Sequence, residues 1–322
     1  MDSGNIGFVL LCAAFVFVMT PGLAMFYGGL VRKKNVVNTM MTSIFIIGIG
    51  IVMWVLFGYS LSFAPSGNAF IGDFRWLGLE GVSLTEGYTD GASIPNMVFS
   101  AFQMMFAVIT PALITGAVAG RMKFKSIFVF TIFWSLIVYY PLAHMVWGQG
   151  GLLGADGIGA LDFAGGDVVH ISSGVSALVL CILLGKRHDY EHSIYRIHNI
   201  PTVVLGASLL MFGWFGFNAG SALAADGLAA HAFMTTGVSA AAAMLSWMLC
   251  DVIKNKKPTL IGASTGMVAG LVGITPGAGF VPMWAAVIIG LTTSPVCYIM
   301  ISYGKKKFGF DDALDAFSCH GT

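Results

Sequence analysis

Charged side chains are scarce in this sequence, and long stretches have none. Asp, Glu, Lys and Arg make up 10% of the 322 residues, whereas 57% are hydrophobic and the mean hydropathy is +0.85. A soluble domain carries about a quarter charged residues. Residues 35–72 and 258–304 contain no charge, and a helix needs ~20 apolar residues to cross a bilayer. These absences exclude an ordinary soluble domain and predict a polytopic protein in a lipid bilayer.

Other patterns are missing as well. The apolar stretches lack the residue-by-residue alternation that strands of a membrane barrel show, and the 42 glycines favour helices packed through small faces. The five cysteines have no spacing typical of a disulfide framework or a zinc site. The net charge of +1 points to no particular partner. These patterns favour an all-α membrane protein. We also expect no enzymatic activity, no metal, no cofactor and no nucleic-acid partner.

Turn and charge signals divide residues 1–322, a single membrane domain, into helical spans. The predicted spans lie near residues 6–30, 38–63, 95–120, 126–146, 168–185, 201–219, 229–250, 259–274 and 283–303, and an incomplete tenth begins near 313. Fifteen of the 16 Lys and Arg residues fall in the connections that follow odd-numbered spans; Arg75 is the exception. Because positive residues favour the cytoplasmic side, the N-terminus is expected outside, in an inner or plasma membrane.

Two histidines stand inside predicted spans, His170 in span five and His320 in span ten. Ionisable groups inside a membrane are rare and usually functional. Each histidine alone is equally consistent with a helix-end side chain bonded to a backbone carbonyl. As a pair, two neutral imidazoles share one hydrogen and leave one donor and one acceptor, which suits a small molecule that both donates and accepts. The other histidines are expected elsewhere: His144 at the outer interface, and His188, His192 and His198 in or beside the basic inner loop.

The surroundings of the two histidines echo each other. Asp162 and Asp312 each precede their histidine by eight residues, and the tripeptide Ala-Leu-Asp at 160–162 recurs at 313–315. One copy enters its span from outside and the other from inside. This arrangement is typical of an inverted five-plus-five helix repeat with a site near the midplane.

The acidic and aromatic residues near the ends of the spans allow two interpretations. Asp162 is expected to cap a helix or turn, although a fixed negative charge at the outer mouth also concentrates cations. Asp167 shares a helix face with His170 and has no assigned role. By composition Trp147 is an aromatic-belt residue. Phe106 and Phe217 are lipid-facing or core residues by the same argument.

Several long motifs carry a family resemblance along the whole chain. They read PGLAMFYGGLVRKKN, AHMVWGQGG, GALDFAGGDVVHISSG, GWFGFNAGSA, LVGITPGAGF and DDALDAFSCHG. On these motifs the chain resembles the Amt/Mep/Rh ammonium transporter family, on its Amt side. The resemblance implies the ammonium transporter fold: eleven helices in an inverted repeat, one pore per subunit and a homotrimer.

The resemblance also implies roles for eight positions along one pore. From the outside inward, these are the recruitment site Trp147, Phe106 and Ser221 with its supporting Asp162, the phenyl gate Phe106 and Phe217, the twin histidines His170 and His320, and Asp312 as the counterpart of Asp162.

The implied function is transmembrane transport of ammonium and ammonia. Ammonium is recruited at the aromatic site and deprotonated, and ammonia passes an apolar pore lined by the twin histidines. The alternative is an ammonium sensor that signals through a fused cytoplasmic module; a neutral gas channel of the Rh type is disfavoured by Trp147 and Ser221. The family implies a trimeric signal-transduction regulator at the cytoplasmic face. We also expect the natural chain to continue past Thr322 and to complete spans ten and eleven, since a helix that ends inside the membrane leaves carbonyls unsatisfied.

Overall fold

The computed structural model describes residues 1–155, 157–187, 190 and 197–322, and the regular elements in these residues are all helical. Nine of the helices described are long and apolar enough to cross a membrane. In chain order they are α1 (Ser3–Leu30), α2 (Lys33–Phe63), α3 (Asn96–Ile114), α4 (Phe124–Trp147), α5 (Gly166–Leu184), α6 (Ile200–Gly220), α7 (Gly227–Asn255), α8 (Leu260–Gly277) and α9 (Met283–Phe308). A short helix, α10, covers Ala316–His320. The protein is an all-α, multi-pass membrane protein, as predicted.

Two helices differ from the predicted spans in ways that shape the pore. α3 stops at Ile114, before the expected end at residue 120, because the N–H groups of Thr115, Gly116 and Ala117 bond carbonyls three residues back and turn the chain. These turn residues are apolar or small, so hydropathy does not distinguish them from helix. α10 begins at Ala316 rather than near 313, and His320 is its last residue, one turn rather than two from its start.

The two halves of the chain meet through their first helices. α1 packs along α6 over most of its length, and small residues permit the close approach. A Cβ on Gly206 would lie 2.3 Å from the backbone nitrogen of Phe26, and a Cβ on Gly29 would lie 2.6 Å from the Val203 side chain. Glycine at such positions lets two backbones approach closely inside a membrane, which stabilises the centre of the inverted repeat.

A second close crossing joins α5 to α10. α10 packs against α5, and a Cβ on Gly174 would lie 2.4 Å from the backbone nitrogen of Gly321. Since Gly174 is one turn after His170 and Gly321 follows His320, this crossing sets the two histidines side by side.

Candidate functional site

The side chains of His170 and His320 face each other at the centre of the bundle. Their Nδ1 atoms are 3.1 Å apart, and the rings lie nearly parallel with centroids 5.1 Å apart. The residues are 2% and 8% exposed. Because two ring nitrogens at this distance accommodate a single hydrogen, one imidazole donates and the other accepts. Nε2 of His170 is buried and bonds no described protein group, so it is available to a molecule in the pore.

The carboxylate of Asp162 holds the start of α5. Its two oxygens accept hydrogen bonds from the backbone N–H groups of residues 165–168, at 2.7, 2.6, 2.8 and 3.2 Å. Gly165, which turns the chain into the helix, has φ of +114°, where a side chain would be strained. The cap fixes the first turn of α5 and therefore the position of His170. The expectation that Asp162 caps a helix agrees with this geometry.

Asp312 plays the same part for α10. Its carboxylate accepts from the N–H groups of Ala316 and Ser318, at 2.9 and 3.1 Å, and from the Ser318 hydroxyl at 3.4 Å. The shared eight-residue spacing therefore reflects a shared capping geometry. The repeated tripeptide at 160–162 and 313–315 does not follow this geometry. Its second aspartate, Asp315, caps no helix and instead binds Lys305.

The phenyl rings of Phe106 and Phe217 pack against each other beside the histidines. The centroids of Phe106 and Phe217 are 4.2 Å apart, with the rings tilted by 30°. Both residues are almost fully buried. Phe217 lies 6.1 Å from the His170 ring, and Trp214 stacks on that ring at 5.3 Å. The phenyl pair thus separates a cavity on one side from the histidines on the other.

The cavity outside the phenyl pair, called here the tryptophan mouth, has a volume of about 410 Å³. Its described lining includes Trp147, Phe106 and Ser221 and contains no Asp, Glu, Lys or Arg. Trp147 is edge-on to Phe106 at 6.0 Å, and its Nε1 donates to the carbonyl of Asp162 at 3.0 Å. The Ser221 hydroxyl donates to the carbonyl of Phe217 at 2.9 Å, so its oxygen keeps acceptor capacity. The predicted recruitment residues therefore share one aromatic cavity.

Two adjoining cavities lie on the other side of the phenyl pair. The first, of about 140 Å³, is lined by both histidines and mostly apolar side chains. The second, of about 310 Å³, is called here the lysine mouth, and it shares the lining residues Leu314 and Asp315 with the first. Arg32, Arg187 and Lys305 line the lysine mouth together with Asp315. The two mouths thus differ sharply in charge.

Two further residues, Gln103 and Tyr88, line the tryptophan mouth, and neither was predicted as a site residue. Gln103 is three residues before Phe106 and therefore on the same face of α3, a signal that was present in the sequence. Tyr88 comes from the connection between α2 and α3, which folds over the mouth. There Tyr88 stacks on Phe99 at 4.7 Å, and its hydroxyl accepts the N–H of Gln149. No local pattern predicts that placement.

His144, predicted at the outer interface, is buried inside the protein near the end of α4. Its Nδ1 is 3.0 Å from the carbonyl of Ser62 and its Nε2 is 2.8 Å from that of Asn68, because the last turn of α2 and the segment after it pack over the end of α4. His198 is exposed, as expected of a loop residue. Asp167 is partly buried, and the structure assigns it no role beyond its N–H bond to Asp162. The predicted loop residues His188 and His192 lie outside the described residues.

Comparisons with known proteins agree with this geometry. The Ammonium Transporter Family model matches residues 7–322. An ammonium transporter of Bacillus subtilis is 53% identical over 322 residues, covering all of this chain and 78% of the relative. The crystal structure of Saccharomyces cerevisiae Mep2 is 39% identical with a TM-score of 0.92, covering all of this chain and 71% of Mep2. A structure described as a sensor Amt protein is 29% identical with a TM-score of 0.89, over 99% of this chain and 79% of that one.

Proposed function

This chain belongs to the ammonium transporter family, and from that premise we propose that it carries ammonium nitrogen across a membrane as ammonia and a separate proton. The observation that carries the proposal is the order of groups along one path. Trp147, Phe106, Phe217, His170 and His320 follow one another at ring separations of 4.2–6.1 Å. An aromatic mouth, an apolar gate and a polar pair are thus arranged in series.

The gate explains why the proton must leave. An ion in low dielectric carries a desolvation cost of order tens of kcal/mol by Born estimates, and the buried rings of Phe106 and Phe217 offer it no compensating charge. Ammonia is neutral and avoids that cost. Potassium has the same charge as ammonium but no proton to lose, so it is refused at the gate.

The mouth before the gate suits recruitment rather than passage. A cation over the face of Trp147 gains about 0.5–2 kcal/mol, more when desolvated, and the Ser221 oxygen supplies a hydrogen-bond acceptor. Asp162 supports the site by holding Trp147 through its carbonyl and the helix start through its carboxylate.

The paired imidazoles suit the two species that leave the gate. The free Nε2 of His170 is a hydrogen-bond partner for ammonia, and the hydrogen shared by the two Nδ1 atoms gives the proton a route along the pair. We place the tryptophan mouth outside and the basic connections in the cytoplasm of an inner or plasma membrane, in line with the positive-inside rule. The homotrimer and the cytoplasmic regulator belong to the same proposal. The likeness to a sensor Amt protein does not favour sensing over transport.

Ammonium pulses applied to proteoliposomes on a solid-supported membrane test the proposal. The wild-type protein should give a saturable current with ammonium and none with potassium. His170→Ala should abolish or alter the ammonium current because the pore loses one imidazole, whereas His198→Ala, a histidine change at an exposed loop position, should leave it unchanged. A wild-type current from His170→Ala with potassium still excluded would remove the histidine pair from the mechanism.

A further inference from the structure

The backbone carbonyls of the two capping aspartates are bound by chemically different side chains. In the first half, the uncharged indole N–H of Trp147 donates to the carbonyl of Asp162 at 3.0 Å. In the second half, Nζ of Lys305 donates to the carbonyl of Asp312 at 3.1 Å. The same Nζ is also paired with the carboxylate of Asp315. One mouth therefore has a neutral ring at this position and the other has an ammonium group.

The head group of Lys305 resembles the transported ion. It is a compact alkylammonium cation with three N–H donors, attached to α9 by the lysine side chain. Its two acceptors, the carboxylate of Asp315 and the carbonyl of Asp312, are the kinds of group that bind ammonium. Lys305 and Asp315 both line the lysine mouth, and the Lys305 side chain is 17% exposed there. The acceptors at this mouth are thus already engaged by a tethered cation.

We propose that Lys305 is a built-in cation that occupies the ammonium-binding groups of the lysine mouth, so that ammonium is recruited at the tryptophan mouth alone. This inference rests on the transport function proposed above. Arg32 also lines this cavity, and its positive charge disfavours a second cation nearby, whereas the charge of Arg187 is balanced by the carboxylate of Asp311. Ammonia is neutral and needs no cation site on its way out. Lys305 is therefore a specificity-determining residue that makes capture of the ion one-sided.

The test compares the two faces of the membrane. Ammonium-dependent current is measured with right-side-out and inside-out vesicles, whose sidedness is checked with a membrane-impermeant amine label on the exposed Lys256 and Lys257. For the wild-type protein, the half-saturating ammonium concentration at the lysine mouth should be higher than at the tryptophan mouth by about tenfold or more, the scale of one charge-assisted hydrogen bond.

Lys305→Met removes the built-in cation and leaves Asp315 and the Asp312 carbonyl in place. The half-saturating concentration at the lysine mouth should then fall by about tenfold, while the value at the tryptophan mouth stays unchanged. Lys305→Arg keeps a cation and should behave as wild type. Adding Asp315→Asn to Lys305→Met removes the new binding group and should restore weak binding. The matched control is Lys306→Met, which changes the exposed neighbouring lysine.

Two results would overturn the inference. One is equal half-saturation at the two mouths of the wild-type protein, a measurement that needs no variant and therefore no folding control. The other is a Lys305→Met protein whose tryptophan mouth is normal but whose lysine mouth is no more sensitive to ammonium than that of wild type. If the wild-type protein gives no ammonium-dependent current from either face, the proposed transport function itself fails.

Discussion

The segments 162–170 and 312–320 share a spacing but are held in different ways. In the first, four backbone N–H groups bind the carboxylate of Asp162, so the segment is shaped mainly by its own chain. In the second, Asp312 accepts from two backbone N–H groups and one hydroxyl, and long-range ion pairs complete the support. The first segment adds one long-range backbone bond, from the N–H of Phe163 to the carbonyl of Pro276, whereas the second depends more on ion pairs with distant parts of the chain.

The long-range support of the second segment centres on Asp311. Its carboxylate is 1% exposed and accepts bidentate hydrogen bonds from Arg187, from Nε at 2.7 Å and from a terminal nitrogen at 2.5 Å. The guanidinium of Arg121 donates to the backbone carbonyl of Asp311 and forms an ion pair with the Asp311 carboxylate at 3.7 Å. Because both arginines belong to the first half, they tie the entry of α10 to the ends of α3 and α5. The inverted repeat is thus asymmetric in its supports, although each half has a capping aspartate eight residues before its histidine.

The largest expected effect breaks this support. Asp311→Ala leaves two largely buried guanidinium groups without their carboxylate, and breaking a buried ion pair costs about 3–5 kcal/mol. We expect a large fall in the thermal unfolding midpoint in detergent. Asp226→Ala is the comparison, since Asp226 is an exposed cap on two N–H groups and its loss costs about 1 kcal/mol. Equal midpoints for the two variants would show that Asp311 does not hold the halves together.

A smaller effect is expected at the local cap of the first segment. Asp162→Ala removes the acceptor of four N–H groups, and loss of a cap costs about 0.5–2 kcal/mol. The start of α5 should fray, so that the current falls more than stability does. Asp162→Asn keeps one acceptor oxygen and should retain part of the current. A full current from Asp162→Ala would mean that the position of His170 does not depend on the cap.

Next in size is the loss of the aromatic face beside the first segment. Trp147→Leu should raise the half-saturating ammonium concentration, with an upper limit of about 30-fold for a cation–π contact of ~2 kcal/mol. The maximal current should change less, because Phe106 and Ser221 remain. Trp284→Leu, at a tryptophan that is 67% exposed at the start of α9, is the matched control. If both variants saturate like wild type, Trp147 acts as an interfacial anchor.

The smallest effect is expected from the serine at the same mouth. Ser221→Ala removes one acceptor oxygen, and a single neutral hydrogen bond contributes about 1 kcal/mol. The half-saturating ammonium concentration should rise by about fivefold or less, and potassium should stay excluded. A larger shift than that of Trp147→Leu, measured in the same vesicles, would reverse the order of the two contributions.

Much of this fold was predictable because a membrane imposes one strong constraint. Uncharged stretches of suitable length have to be helices, so the nine spans followed from composition. Their ends were less predictable where apolar turns continue a span, as after Ile114. The burial of His144 was not predictable, because it depends on contacts with Ser62 and Asn68 from a distant part of the chain.

The candidate site divides in a similar way. The eight-residue spacing of Asp162 with His170 and Asp312 with His320 is visible in the sequence, and the family motifs imply the roles of Trp147, Phe106, Phe217 and Ser221. Composition alone favoured aromatic-belt, lipid-facing or core positions for these aromatic residues, since a chain with 25 phenylalanines makes no single one distinctive. The structure brings the aromatics and the histidines into one line.

By itself, then, the sequence determined the class of protein, the number of apolar helices and the residues that stand inside them, because each depends on hydropathy and local spacing. The tertiary structure alone decided which side chains meet. The contact of His170 with His320 depends on the crossing of α5 and α10 at Gly174 and Gly321. The contrast between an aromatic mouth and a mouth lined by Lys305 depends on how distant segments converge, because no local pattern encodes a distance between residues 150 positions apart.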